Sequence, residues 1–110
     1  MSESTVLDGA LVAMCNALGE ETRWSILTTL GEGDASASAL ARSLPVSRQA
    51  IAKHLAVLHE VGLVETVEAG REVRFRVVGA RLSATARRLE AIGAEWDRRL
   101  AAIKQIAESI

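Results

Sequence analysis

The chain is 110 residues long, 49% hydrophobic and 25% charged, with a formal net charge of −1. That composition excludes a disordered chain and is what one globular, soluble domain needs, with about two-thirds of the unfolded surface buried. No apolar run nears the roughly 20 residues of a membrane span, the acidic, polar start does not read as a signal peptide, and one cysteine, Cys15, suits a reducing cytoplasm.

Net charge alone argues against a nucleic-acid partner, and its distribution reverses that reading. Residues 1–34 carry six acids and one base, residues 35–76 six bases and four acids, and residues 77–110 again six bases and four acids. Between Ala35 and His59 there are three bases and no acid. A local cationic patch is what phosphate neutralisation requires.

Ala, Leu, Glu and Arg dominate, with one proline and three aromatics, so a mainly helical fold is expected. The first helix is predicted from about Thr5 to Ala17, with Leu7, Leu11, Met14 and Leu18 as its apolar stripe and Gly19 as its C′ residue. A second runs from about Glu20 to Leu30, with Glu20 and Glu21 in the first turn opposing the macrodipole, and Ile26, Leu27 and Leu30 turned inward. The residues Gly31-Glu32-Gly33-Asp34 form a loop. Ser36 caps a third helix through about Ser43, whose buried edge is Ala39, Leu40 and Leu44, and Pro45 stops it.

The next helix is specified in most detail. Ser47 is its N-cap, Val46 and Ile51 are spaced as a hydrophobic staple, and Ile51, Leu55, Leu58 and Gly62 share one face. The opposite face carries Gln49, Lys53, Ala56 and Glu60, with Ala52 beside them. Small residues allow close approach to a surface, while Gln and Lys donate to base edges and phosphates. This pattern reads as a recognition helix for duplex DNA.

After Gly62 the period changes to two. Leu63–Ala69 and Val73–Val78 are strand-like runs about a Gly70-Arg71-Glu72 tip. Val73, Phe75 and Val77 share one face and Arg74 and Arg76 the other, as in a DNA-binding wing. Arg71 and Arg74 are the expected phosphate contacts, and the wing arginines can also pair with Glu65, Glu68 and Glu72 across the hairpin. A last helix runs from about Ser83 to Ile110, with Leu82, Leu89, Trp96, Ile103 and Ile110 at intervals of seven and Ala86, Gly93, Leu100 and Ala107 four after each. A helix spanning about 40 Å outreaches so small a body. Its expected partner is the terminal helices of a second copy, through Leu7, Leu11, Met14, Leu89, Trp96, Leu100 and Ile103.

The segments Leu18–Leu27, Leu40-Ala41, Ser47–Leu55 and Leu58–Val64, with the hairpin ending Val73–Val77, resemble ArsR-type regulators over nearly the whole chain. The resemblance implies a winged helix-turn-helix homodimer, mainly α with a small β-hairpin, that represses transcription from an inverted-repeat operator in double-stranded DNA. On that analogy Ser47, Arg48, Gln49, Lys53 and His54 face DNA, Arg71 and Arg74 belong to the wing, and Arg42 lies in the same surface. The helix-turn-helix is expected at about 36–61, the wing at 63–78 and the dimerisation helix at 82–110, within a single domain.

Arsenic-sensing members carry Cys-x-Cys where this chain has Ser36-Ala37-Ser38, and serine hydroxyls are poor ligands for soft metals. Zinc-binding members use Asp and His of the last helix, which here has no His and one Asp, Asp97. His54 and His59 project apart, so no metal and no cofactor are expected, leaving an unidentified small-molecule effector as a further candidate partner. Cys15 is expected as a small core or interface residue, and Trp24 and Trp96 are expected to pack. No Cys-His or Ser-His-Asp set and no phosphate-cradling glycine loop support an enzyme. A helical adaptor that binds protein through its last helix is the alternative function.

Overall fold

A computed structural model describes residues 9–109. Its order is α1 (Gly9–Leu18), α2 (Glu21–Gly31), α3 (Ala37–Ser43), α4 (Arg48–Glu60), β1 (Val64–Ala69), β2 (Glu72–Val77) and α5 (Gly79–Ser109). Among the described residues, five helices and a two-stranded antiparallel hairpin make a winged helix-turn-helix fold. The expected start of the first helix at Thr5, and the interface residue Leu7, lie outside the described residues, as does Ile110. No described helix is long and apolar enough to cross a membrane.

One core organises the body. Ile26, Leu40, Ile51, Leu55, Leu58, Leu63 and Val64 are fully buried, so α2, α3, α4 and the root of the hairpin converge on it. Each such side chain contributes roughly 1.5–3 kcal/mol on leaving water. Met14, expected at a subunit interface, is 4% exposed and belongs to this chain's own core. Trp24, expected to pack, is 46% exposed, and Cys15, expected in the core or at an interface, is exposed in the single chain and so is not a core residue.

The helix ends follow local chemistry. Glu20 is the N-cap of α2 rather than a first-turn residue, its Oε1 accepting the Arg23 amide at 2.9 Å. That bond to a backbone N–H is the main reason its carboxyl is held below the ordinary value of 4.5. Gly19 does not take the left-handed cap conformation expected of a C′ glycine, positive φ among the described residues being confined to Gly62 and Gly70. Arg23 takes over instead, donating from Nε to the Ala17 carbonyl at 2.6 Å and from Nη2 to the Asn16 carbonyl at 3.3 Å. Ser36 and Ser47 cap α3 and α4, each hydroxyl accepting a backbone amide three residues on at 3.1 Å.

Helix α4 ends at Glu60, so Gly62 does not extend its apolar face. With φ +81 it makes the turn into β1, and a Cβ there would sit 3.1 Å from Nε of Arg81. The hairpin pairs Val64 with Val77 through Ala69 with Glu72, leaving Gly70-Arg71 as a two-residue tip. Gly70 alone carries a positive φ, +67, the pattern of a type II′ turn. Phe75 and Val77 pack toward the core, but Val73 stays 49% exposed because the tip overhangs the body. Ala35 adds one antiparallel bridge, exchanging backbone bonds with Phe75 at 2.8 and 3.2 Å.

Helix α5 begins at Gly79, a turn earlier than the apolar pattern predicts, and leaves the body. Thr85 is its only buried residue, and every residue from 93 to 109 is exposed. The molecule is accordingly elongated, 69 × 26 × 21 Å.

Candidate nucleic-acid interface

The fully buried Ile51, Leu55 and Leu58 fix the rotation of α4. At 100° per residue this turns Gln49, Ala52, Lys53, Ala56 and Glu60 outward, and all five are exposed. The Ser47 cap sets where the helix starts, placing Arg48 and Gln49 in its first turn. Arg42, in the last turn of α3, is exposed and lines one cleft with Arg48.

The cations divide by their partners. Arg48, Lys53 and Arg71 are exposed and make no ion pair among the described residues. Arg74 is partly engaged, its Nε donating to Glu72 Oε1 at 2.9 Å. That bond is also the chief cause that lowers the Glu72 carboxyl from the ordinary carboxylate value. Arg76 departs from the expected cross-hairpin pairing. Its guanidinium donates to Asp34 through Nη2 at 2.9 Å and Nε at 3.2 Å, which ties the wing to the loop before α3. Asp34 raises its already high pKa further, chiefly through that hydrogen bond.

His54 sits at the edge of the outward face, its side chain 21% exposed. Nη1 of Arg23 lies 3.2 Å from His54 Nδ1, and Glu20 Oε1 is 3.8 Å from the same nitrogen. A guanidinium only donates, so the shorter contact needs a bare Nδ1 and assigns the ring proton to Nε2. The inner edge of His54 is therefore a structural link to α1 and α2, and only Nε2 remains for a ligand. Sequence reasoning missed Arg23, although a lone base among acids at a helix junction was a usable signal.

The Ser36-Ala37-Ser38 segment does not suit a soft metal. Ser36 is 7% exposed with its oxygen committed to capping α3, and Cys15, the single thiol, lies on α1. Among the described residues no three His, Cys, Asp or Glu side chains gather as a ligand set. His59 is exposed on α4, apart from His54.

Comparison with known proteins agrees with this arrangement. Residues 18–67, from the end of α1 through most of β1, match a family model described as a helix-turn-helix domain. A structure of an ArsR-like transcriptional regulator from Rhodococcus sp. RHA1 superposes with a TM-score of 0.88 at 64% identity, over 94% of this chain and 98% of that one. The HTH-type transcriptional regulator Rv2034 of Mycobacterium tuberculosis is 34% identical over 93 residues, 84% of each chain. A homodimeric winged helix-turn-helix DNA-binding domain of Mycobacterium bovis, Mb0332, shares the fold at a TM-score of 0.66 and 23% identity, over 91% of this chain and 90% of that one. With a capped, outward-facing helix beside an arginine-tipped hairpin, and relatives matched over most of its length, the chain belongs to the ArsR-like family of helix-turn-helix DNA-binding transcriptional regulators.

Proposed function

We propose that the chain is a sequence-specific repressor that binds an inverted-repeat operator in duplex DNA as a homodimer, without a Cys-x-Cys metal site. The observation that carries this reading is the set of exposed cations that make no ion pair among the described residues, Arg48, Lys53 and Arg71, beside Gln49. Gln49 and Lys53 would read base edges in the major groove, with Ala52 and Ala56 allowing close approach. Ser47, Arg48, Arg42 and His54 Nε2 would border the phosphates, and Arg71 and Arg74 would carry the wing to the backbone. Its role is binding rather than catalysis, in the cytoplasm where the DNA lies.

Self-association is supported by α5. Leu89, Trp96, Leu100 and Ile103 are 46%, 55%, 58% and 62% exposed in one chain, and the half-buried Leu11 of α1 lies beside the root of the same helix. Such an apolar seam is buried by pairing with a copy, and a two-fold pair places two α4 helices on successive major grooves about 34 Å apart.

The test is binding of the full chain to duplexes from the DNA flanking its own gene, across a salt series. Tight binding at low salt that falls steeply with ionic strength is expected. Gln49→Ala should relax base preference at a cost of about 1–3 kcal/mol, whereas Arg71→Ala should weaken all duplexes alike. A folded chain that ignores every duplex at low ionic strength overturns the reading in favour of the protein-binding adaptor.

A further inference from the structure

Between α3, the start of α4 and the hairpin tip lies a cleft of about 400 Å³, lined among others by Ser36, Ser38, Arg42, Arg48, Arg71 and Glu72. Three arginines, one each from α3, α4 and the hairpin tip, line it with one acidic residue. Arg48 and Arg71 have no ion pair among the described residues, and Arg42 meets only the field of Glu72. Glu72 is itself mostly committed to Arg74, so the cleft keeps an excess of positive charge.

Like charges held together in one concavity repel, and the field they focus recruits an anion. The cleft already favours negative charge at its rim, since the Ser36 hydroxyl and Arg42 assist Arg74 in stabilising the ionised Glu72. Guanidinium forks match the spacing of oxygens on a phosphate, and serine hydroxyls donate to the same oxygens.

We propose that this cleft is an oxyanion site that takes one free phosphate ion on Arg42, Arg48 and Arg71, three arginines that line one concavity. The site itself is independent of the DNA reading above, and only its competition with DNA rests on that reading. Free phosphate then displaces DNA by competition for the cleft and not by screening alone. Glu72 is the resident negative charge that limits affinity, and neutralising it strengthens the site.

An amide and arginine side-chain NMR titration of the full chain without DNA, at fixed ionic strength, compares inorganic phosphate with chloride. A free-phosphate site gives saturable shifts at Ser36, Ser38, Arg48 and Arg71, lost in Arg71→Gln and tightened in Glu72→Gln. Phosphate at ten times its dissociation constant then lowers DNA affinity about elevenfold per cleft. Linear shifts equal to those with chloride overturn the proposal and leave Arg48 and Arg71 as backbone contacts alone, in which case Arg48→Gln and Arg71→Gln each reduce the salt slope of DNA binding by about 0.9 per subunit. Saturation by phosphate in a chain that binds no duplex keeps the cleft and removes the operator reading.

Discussion

Ser47 does two separable jobs at one position. Its hydroxyl caps α4 through the Ala50 amide at 3.1 Å, and the residue is exposed on the proposed DNA face. Ser47→Ala should lower stability by about 1 kcal/mol in urea unfolding. Ser47→Asp should keep that stability yet lose DNA binding, because its carboxylate faces phosphate. Equal loss of both properties in both variants would show that the residue only starts the helix. Together with Glu72, Glu20 contributes to the acid response. Its pKa is depressed in the folded chain, so the stability it adds is full above the ordinary value of 4.5 and drains away as the pH falls through the folded value. Glu20→Gln should flatten the acid limb of a stability-against-pH profile, and an unchanged limb would remove Glu20 from that role.

At the scale of elements, the hairpin depends on more than its own ladder. A two-stranded ribbon is marginal alone, and here the Ala35–Phe75 bridge and the Asp34–Arg76 pair bind it to the loop before α3. The pair is exposed, so Asp34→Asn should cost less than about 1 kcal/mol in global stability. Hydrogen exchange across β2 should nevertheless accelerate, and unchanged exchange there would mean that the bridge alone suffices. Helices and hairpin were legible in the sequence because caps, apolar spacing and the Gly70 turn all act between near neighbours. The same local signals placed Gln49 and Lys53 outward from the position of Ile51 and Leu55. Arg23 on His54 and Asp34 on Arg76 were not legible, because they join residues 31 and 42 positions apart and depend on how finished elements dock. Met14, expected at a subunit interface, is covered within one chain for a related reason: its apolar stripe announces burial without saying whether the covering surface is the same chain or another.

For the molecule as a whole, α5 is the part least satisfied by one copy. Trp96 is 55% exposed with the Arg99 guanidinium 5.2 Å from its ring centroid, and Leu100, Ile103 and Ile106 continue the apolar row. Trp96→Glu should yield a folded monomer by sedimentation, with operator binding weakened through loss of the second half-site. A dimer that survives this change would move the subunit contact to another surface.

The tie at Ala35 and Asp34 also gives the ribbon a support that the recognition helix does not share. The helix that would read sequence is anchored in the central core, whereas the ribbon joins that core at its root and is steadied beyond it from the loop leading into α3. A disturbance arriving at that loop would loosen the ribbon's grip without unseating the helix. Release could then proceed by stages, shedding general attraction before discrimination.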